Sequence, residues 1–276
     1  MGNAIAFVLA GVALAAAGAV QAAPEIDIRN AIVRVTIIPE ARGDVAVSVV
    51  RANGREPLKV TTAGEVTTID GGLRSPGCYS LFGGPGAFIW GIGNIGYDQM
   101  PQVVIRTPRN VRVVANGAVF GAIGPGDSVD LTNGGCGDWN VADQTGPLRV
   151  RLSGSGDVRA GSVGLADLVV SGSSDVRLRT VRNGLYAVIS GSGDVTADAV
   201  DGPLRARIGG SGDVRVRGGA VTDMDVTVSG SGDVKLGGVA QTLTAQVSGS
   251  GDVSAARVTG AVVKHVSGSG DVTYSR

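Results

Sequence analysis

Aromatic side chains make up only 4% of this 276-residue chain, which also has just two cysteines and one histidine and carries 24 acidic against 24 basic residues. So few rings argue against a bulky, mixed core. The lone His265 has no histidine or cysteine cluster around it to form a zinc site and reads as a solvated strand residue; the serines have no histidine partner within their own units. Zero net charge leaves no footprint for nucleic acid or anionic lipid. Beyond residue 23 no stretch is apolar enough to span a bilayer.

Glycine is abundant instead, with 46 residues, and much of it belongs to one recurring stretch, L-x-V-x-V-S-G-S-G-D-V. Its aspartates are Asp157, Asp175, Asp194, Asp213, Asp233, Asp252 and Asp271, with a degenerate forerunner at Asp138, and they are spaced by 19, 18, 19, 19, 20, 19 and 19 residues. A repeat of about 20 residues is a solenoid signature. Apolar residues fall nine, seven and five positions before each aspartate, as at Leu185, Ala187 and Ile189, and one and three positions after it, as at Val195 and Ala197. Period two marks strands with one buried face. A third apolar column at Val163, Val181, Val200, Val239 and Val258, with Ala220 or Val221 in the longest unit, makes the coil three-sided. Stacked coils pair equivalent strands in parallel about 4.8 Å apart, so the expected fold is an all-β parallel β-helix with about 19 residues per coil.

Residues 1–23 hold no charged side chain and end in small residues at Ala22 and Ala23, which reads as a signal peptide cleaved there; an uncleaved anchor is the alternative. Residues 24–276 then form the β-helix domain, with degenerate coils over 24–138 and regular GSGDV coils over 139–276. In the degenerate part Val103, Ile105, Asn110, Val111 and Val113 repeat the motif spacing with Asn110 in the aspartate's place. Leu58, Val60, Glu65 and Val66 do so again, and Val33, Val35, Ile37, Asp44 and Val45 suggest a first strand pair. On this register residues 75–101 are an aromatic, Gly-rich insertion, and a second insertion around Phe120 to Asp127 fills the 28-residue step from Asn110 to Asp138. A separate small β domain ahead of the solenoid is the alternative. Cys78 and Cys136, in an exported chain, are expected to bridge and fasten the insertion to the first well-formed coil; two unpaired buried thiols are the other reading.

The tandem GSGDV coils behind an export segment resemble the bacterial auto-transporter adhesin head GIN domain family, closely over residues 100–276 and loosely over 25–75. The resemblance implies a right-handed parallel β-helix, an exported location in the periplasm or at the cell surface, an adhesin-like role, and no assigned enzyme activity.

Stacked carboxylates about 4.8 Å apart repel by ~1 kcal/mol per neighbour in water and more at lower dielectric, so something must offset the ladder. Calcium is one reading, because G-x-G-x-D resembles the calcium-binding nonapeptide; that repeat, however, recurs every nine residues. The other is structural, each aspartate accepting from Gly and Ser amides of its own corner, with Arg159, Arg177, Arg215 and Lys235 two residues on. The structural ladder is preferred, with no cofactor. Coils of 18 to 20 residues leave no long loops to build a catalytic cleft over 139–276, so no catalytic residue is assigned. Phe88, Trp90 and Tyr97 form a possible binding patch, or else cap the solenoid, and Trp139 is expected to fill the core beneath the insertion. Lys264 takes an inward register position otherwise held by Val, Leu or Ala, and reads as a gatekeeper against end-to-end self-association or as a solvated residue of a frayed coil. The expected function is an exported, non-enzymatic structural or adhesin-like surface that contacts an envelope polymer or protein, or another copy of itself through the solenoid ends. The alternative is a carbohydrate-binding or carbohydrate-processing β-helix.

Overall fold

The computed structural model describes residues 23–53, 57–74, 76–81, 84–89 and 93–276; residues 1–22 of the expected signal segment, and Trp90, lie outside them. No described segment is an α-helix, and none is a helix long and apolar enough to cross a membrane. The strands begin with β1 (Glu25–Pro39), β2 (Ala46–Arg51), β3 (Lys59–Ala63), β4 (Val66–Asp70), β5 (Gly77–Leu81), β6 (Gly84–Ile89) and β7 (Gly93–Gly96). They continue with β8 (Gln102–Thr107), β9 (Asn110–Ile123), β10 (Ser128–Asn133), β11 (Trp139–Val141), β12 (Leu148–Leu152) and β13 (Val158–Ala160). The chain folds as a parallel β-solenoid with a step of about 19 residues per coil.

The regular coils follow the expected register. β12 pairs with Ala166–Val170 and β13 with Val176–Val181, both in parallel, so Leu148, Val150 and Leu152 stack on Ala166, Leu168 and Val170 inside the coil. These six side chains are buried, as are Val158 and Val176 in the second row, and the polar residues between them point outward. The corner between the two strands is tight because equivalent glycines stack. A Cβ on Gly172 would run into the Gly154 carbonyl oxygen, and one on Gly191 into that of Gly172. The third column departs from expectation in one coil. Val239 is 40% exposed and the following Ala240 is fully buried, pairing with Val221 and Val258, because the pairing slips between Leu236 and Val239.

The first coils do not follow chain order. β1 lies between two neighbours, pairing in parallel with β9 on one side and with β4 and β8 on the other. The chain therefore lays its second rung first, moves outward to build the end rung from β4 and β8, then returns to β9. The outer edge of the end rung is covered by antiparallel strands, β3 along β4 and β2 along β8. Covering an edge this way removes its row of free donors and acceptors.

Two register readings are corrected as a result. Asn110 pairs with Ser128, and Val111 with Val129, so Asn110 opens the first strand of its coil instead of standing in the aspartate's place. Phe120 to Ile123 belong to β9 itself, Gly121 to Ile123 pairing with β11, so no second insertion exists and the step from Asn110 to Ser128 is an ordinary coil. Val60, expected to begin an early coil, lies in the covering strand β3. In β1 and β9 the GSGD corner is replaced by single residues in the left-handed region, Asn30 (φ 51°) and Gly117 (φ 119°).

Candidate functional site

The aspartate ladder is held together between coils. Each carboxylate Oδ1 accepts from the backbone N–H of the next coil's aspartate, from Asp138 accepting Asp157 at 3.1 Å, through Asp194 accepting Asp213 at 2.8 Å, to Asp252 accepting Asp271 at 2.8 Å. This corrects the expectation that each aspartate caps its own corner; the exception is Asp271, which accepts from its neighbour Val272 at 2.7 Å. The backbone adds a reciprocal link, since the Asp175 carbonyl accepts from Val158 N–H at 2.8 Å while Asp175 N–H donates to Asp157 at 3.0 Å. A carboxylate receiving a backbone N–H makes a charge-assisted bond, which offsets repulsion along the row. Arginines two residues on bind the second oxygens. Arg177 spans Asp157 and Asp175 at 3.5 and 2.9 Å, Arg159 lies 3.9 and 3.8 Å from Asp138 and Asp157, and Arg215 lies 3.8 Å from Asp213. No cluster of three or more His, Cys, Asp or Glu residues suited to a metal ion occurs among the described residues.

Toward the covered end the ladder gives way to different chemistry. Register through β11, β9, β1 and β8 places Phe120, Arg34 and Gln102 successively in the column that Asp138 ends. The Arg34 guanidinium lies 4.1 Å over the ring of Tyr97, and the Gln102 amide, with its oxygen turned inward, accepts from both Nη atoms at 3.2 and 2.9 Å. Tyr97 meets Phe120 edge to face at 5.4 Å. The next outward column is small in this region, reading Thr36, Ala122 and Asn140 before Arg159. A groove of about 410 Å³ results, floored by these small residues and walled by Arg34, Tyr97, Phe120, Asp138 and Arg159, with Val50 at its end. Gly121 lies against Trp139, whose ring fills the core as expected; a Cβ at position 121 would collide with that ring.

The insertion forms a three-stranded antiparallel sheet, β5 to β7, with a small core of its own. Ala87, Ile95 and Met100 pack on Ile32, Ala118 and Phe120, with Cys136 at the margin. Cys78 of β5 is disulfide-bonded to Cys136, which takes the corner position of the second serine. Phe88 is 41% exposed on β6, whereas Tyr97 turns toward Phe120 and Arg34, so these two expected patch residues serve different surfaces. Lys264 and His265 are exposed on Val262–Val266, a strand that pairs through Ala245 and Gln246 with the preceding coil. A further hollow of about 630 Å³ includes Arg42 and Asp44, but Arg42 is held there by Glu40 and Asp44 at 2.9 and 3.0 Å.

The break in the ladder is not legible in the sequence because the residues that replace the aspartate do not stack in chain order: Arg34 of β1 sits between Gln102 of β8 and Phe120 of β9. No curated protein matches the chain. The family model described as Toastrack DUF4097 matches residues 23–276, nearly the whole length, and supports the β-solenoid repeat architecture. The chain therefore belongs to the Toastrack DUF4097 family.

Proposed function

We propose that the protein is an exported, non-enzymatic β-solenoid of the cell envelope, in which the regular coils are a rigid spacer and the disulfide-fastened end makes adhesin-like contact with a surface polymer or protein. One observation carries this reading. The regular coils repeat the same inter-coil contacts, whereas the insertion, the disulfide and the aromatic-cationic groove gather at one end. A stapled sheet on a preorganised scaffold is how rigid elements commonly present recognition surfaces. The Cys78–Cys136 bridge suits an oxidising compartment, and the apolar residues 1–23 suit an export signal. The resemblance of the GSGDV coils to GIN adhesin heads points the same way.

Fractionation of expressing cells, with protease added outside intact cells and N-terminal sequencing of the recovered chain, tests the proposal. The expected product lies in the envelope or medium and begins near Pro24. A cytoplasmic product with reduced cysteines contradicts it. Release of new reducing ends from a polysaccharide panel would contradict the non-enzymatic part.

A further inference from the structure

We propose that the groove between Arg34 and Arg159 binds a short run of a carboxylate-bearing polysaccharide. This rests on the reading of the covered end as the recognition end, and it names the ligand class. The two guanidinium groups belong to rungs separated by β9 and β11, which places them roughly 14 Å apart along the stack at the usual strand spacing. Between them the floor offers a hydroxyl at Thr36, a methyl at Ala122 and a carboxamide at Asn140, with the half-exposed Asp138 carboxylate at the edge. An amide, a hydroxyl and a carboxylate together are suited to donating to and accepting from vicinal hydroxyls. Cations at both ends of a linear groove suit acidic substituents spaced along a chain, and planar guanidinium binds a carboxylate in fork geometry.

The cationic ends are prepared for this role in different ways. Arg34 is stacked on Tyr97 and held by Gln102, its side chain only 25% exposed, and its ion contact is to Asp98 at 3.9 Å, whose own side chain is 98% exposed. That aspartate is fully hydrated and easily displaced. Each Nη of Arg34 carries two hydrogens and directs one to the Gln102 oxygen, so the guanidinium retains donor capacity that this neighbour does not use. Arg159 is half exposed, and its contacts to Asp138 and Asp157, at 3.9 and 3.8 Å, are long for ion pairs and leave its donors available. Asp138 opposes a purely anionic ligand lying across the middle of the groove. A uronic-acid saccharide can turn hydroxyls toward Asp138 and its carboxylates toward the arginines, where an acidic peptide has no hydroxyl to offer.

The test uses the purified full chain with trigalacturonic acid as probe, maltotriose as the neutral counterpart and triglutamate as the acidic peptide, each titrated by calorimetry. Trigalacturonate is expected to bind saturably, about tenfold tighter than maltotriose or triglutamate, and to weaken as salt is added. Arg159→Gln, with an unchanged melting temperature, is expected to weaken it about tenfold, and Asn140→Ala several-fold. Absence of saturable binding to trigalacturonate overturns the proposal, as does binding that Arg159→Gln leaves unchanged. Equal or tighter binding of triglutamate overturns the saccharide assignment. None of these outcomes depends on where the protein is found in the cell, so the export reading stands or falls separately.

Discussion

Breaking the Cys78–Cys136 bridge by the double substitution Cys78→Ser and Cys136→Ser tests whether the insertion is fastened to the solenoid as described. The bridge closes a loop with a sequence separation of 58 residues. Chain-entropy reasoning for a loop of that length gives a stabilisation of about 4 kcal/mol. The little core beneath the insertion, built from Ile32, Ala87, Ile95, Met100, Ala118 and Phe120, is small beside the continuous core of the coils. Solenoid stability is local, so the loss falls on the covered end first. At roughly 2–4 °C per kcal/mol for a chain of this size, the end is expected to melt about 10 °C earlier. Trp139 is buried against Gly121 of β9, and Trp90 falls within residues 75–101 of the sequence, so tryptophan fluorescence is the probe of that end while far-ultraviolet circular dichroism reports all coils. The expected result is a fluorescence midpoint that moves ahead of the dichroism midpoint. A fluorescence midpoint within about 2 °C of the parent would refute the fastening role.

Asp194→Ala removes the acceptor for the Asp213 amide and is expected to lower stability by about 1–2 kcal/mol in urea melts, whereas Asp194→Asn keeps an acceptor, removes repulsion and stays within about 0.5 kcal/mol of the parent. Equal losses in both variants would mean that charge, not the hydrogen bond, matters there. Asp143 accepts from Ser162 N–H and faces Arg179, and that hydrogen bond and then that cation hold its carboxyl below the ordinary carboxylate value. A depressed carboxyl stabilises above its unfolded pKa and loses that stabilisation as pH falls through its folded value, so parent and Asp143→Asn should differ at about pH 7 and converge as the pH falls below the ordinary carboxylate range. A difference that persists undiminished in acid contradicts it. Lys264→Ala is expected to raise mass with concentration in light scattering, and an unchanged monodisperse profile would remove Lys264 as a gatekeeper.

The repeat was legible because its anchor is chemically singular. An aspartate closing a Gly- and Ser-rich corner, with Val beside it, marks the same corner from Asp157 to Asp271, and the alternating apolar residues around it then assign the inward faces of the two strands it joins. Cys136 in a serine's place and Trp139 in a valine's were read from that same register. Where the anchor is missing, apolar alternation alone cannot tell a coil's first strand from its second. Val111 and Val113 fit either, and only pairing with Val129 and Leu131 decides. The inversion of coil order was hidden for a related reason, since β1 carries ordinary inward residues and nothing local states which rung it borders. Ala240 and Val239 are both apolar and adjacent, so the slipped pairing left no trace in composition. The ladder's partners were misassigned because an amide one residue away and an amide one coil away place the same demand on the side chain. The groove was invisible for want of that inter-strand register, although Arg34, Tyr97 and Asn140 are each unremarkable in sequence.

Held by backbone amides from coil to coil, the aspartate ladder is expected to need no calcium. Thermal melting of the full chain in excess chelator, and again with millimolar calcium, tests it most directly, because a ligand that binds only the folded state must raise the melting temperature. The same midpoint is expected in both conditions. A large drop in chelator that calcium restores would contradict it and make the carboxylate row a metal site.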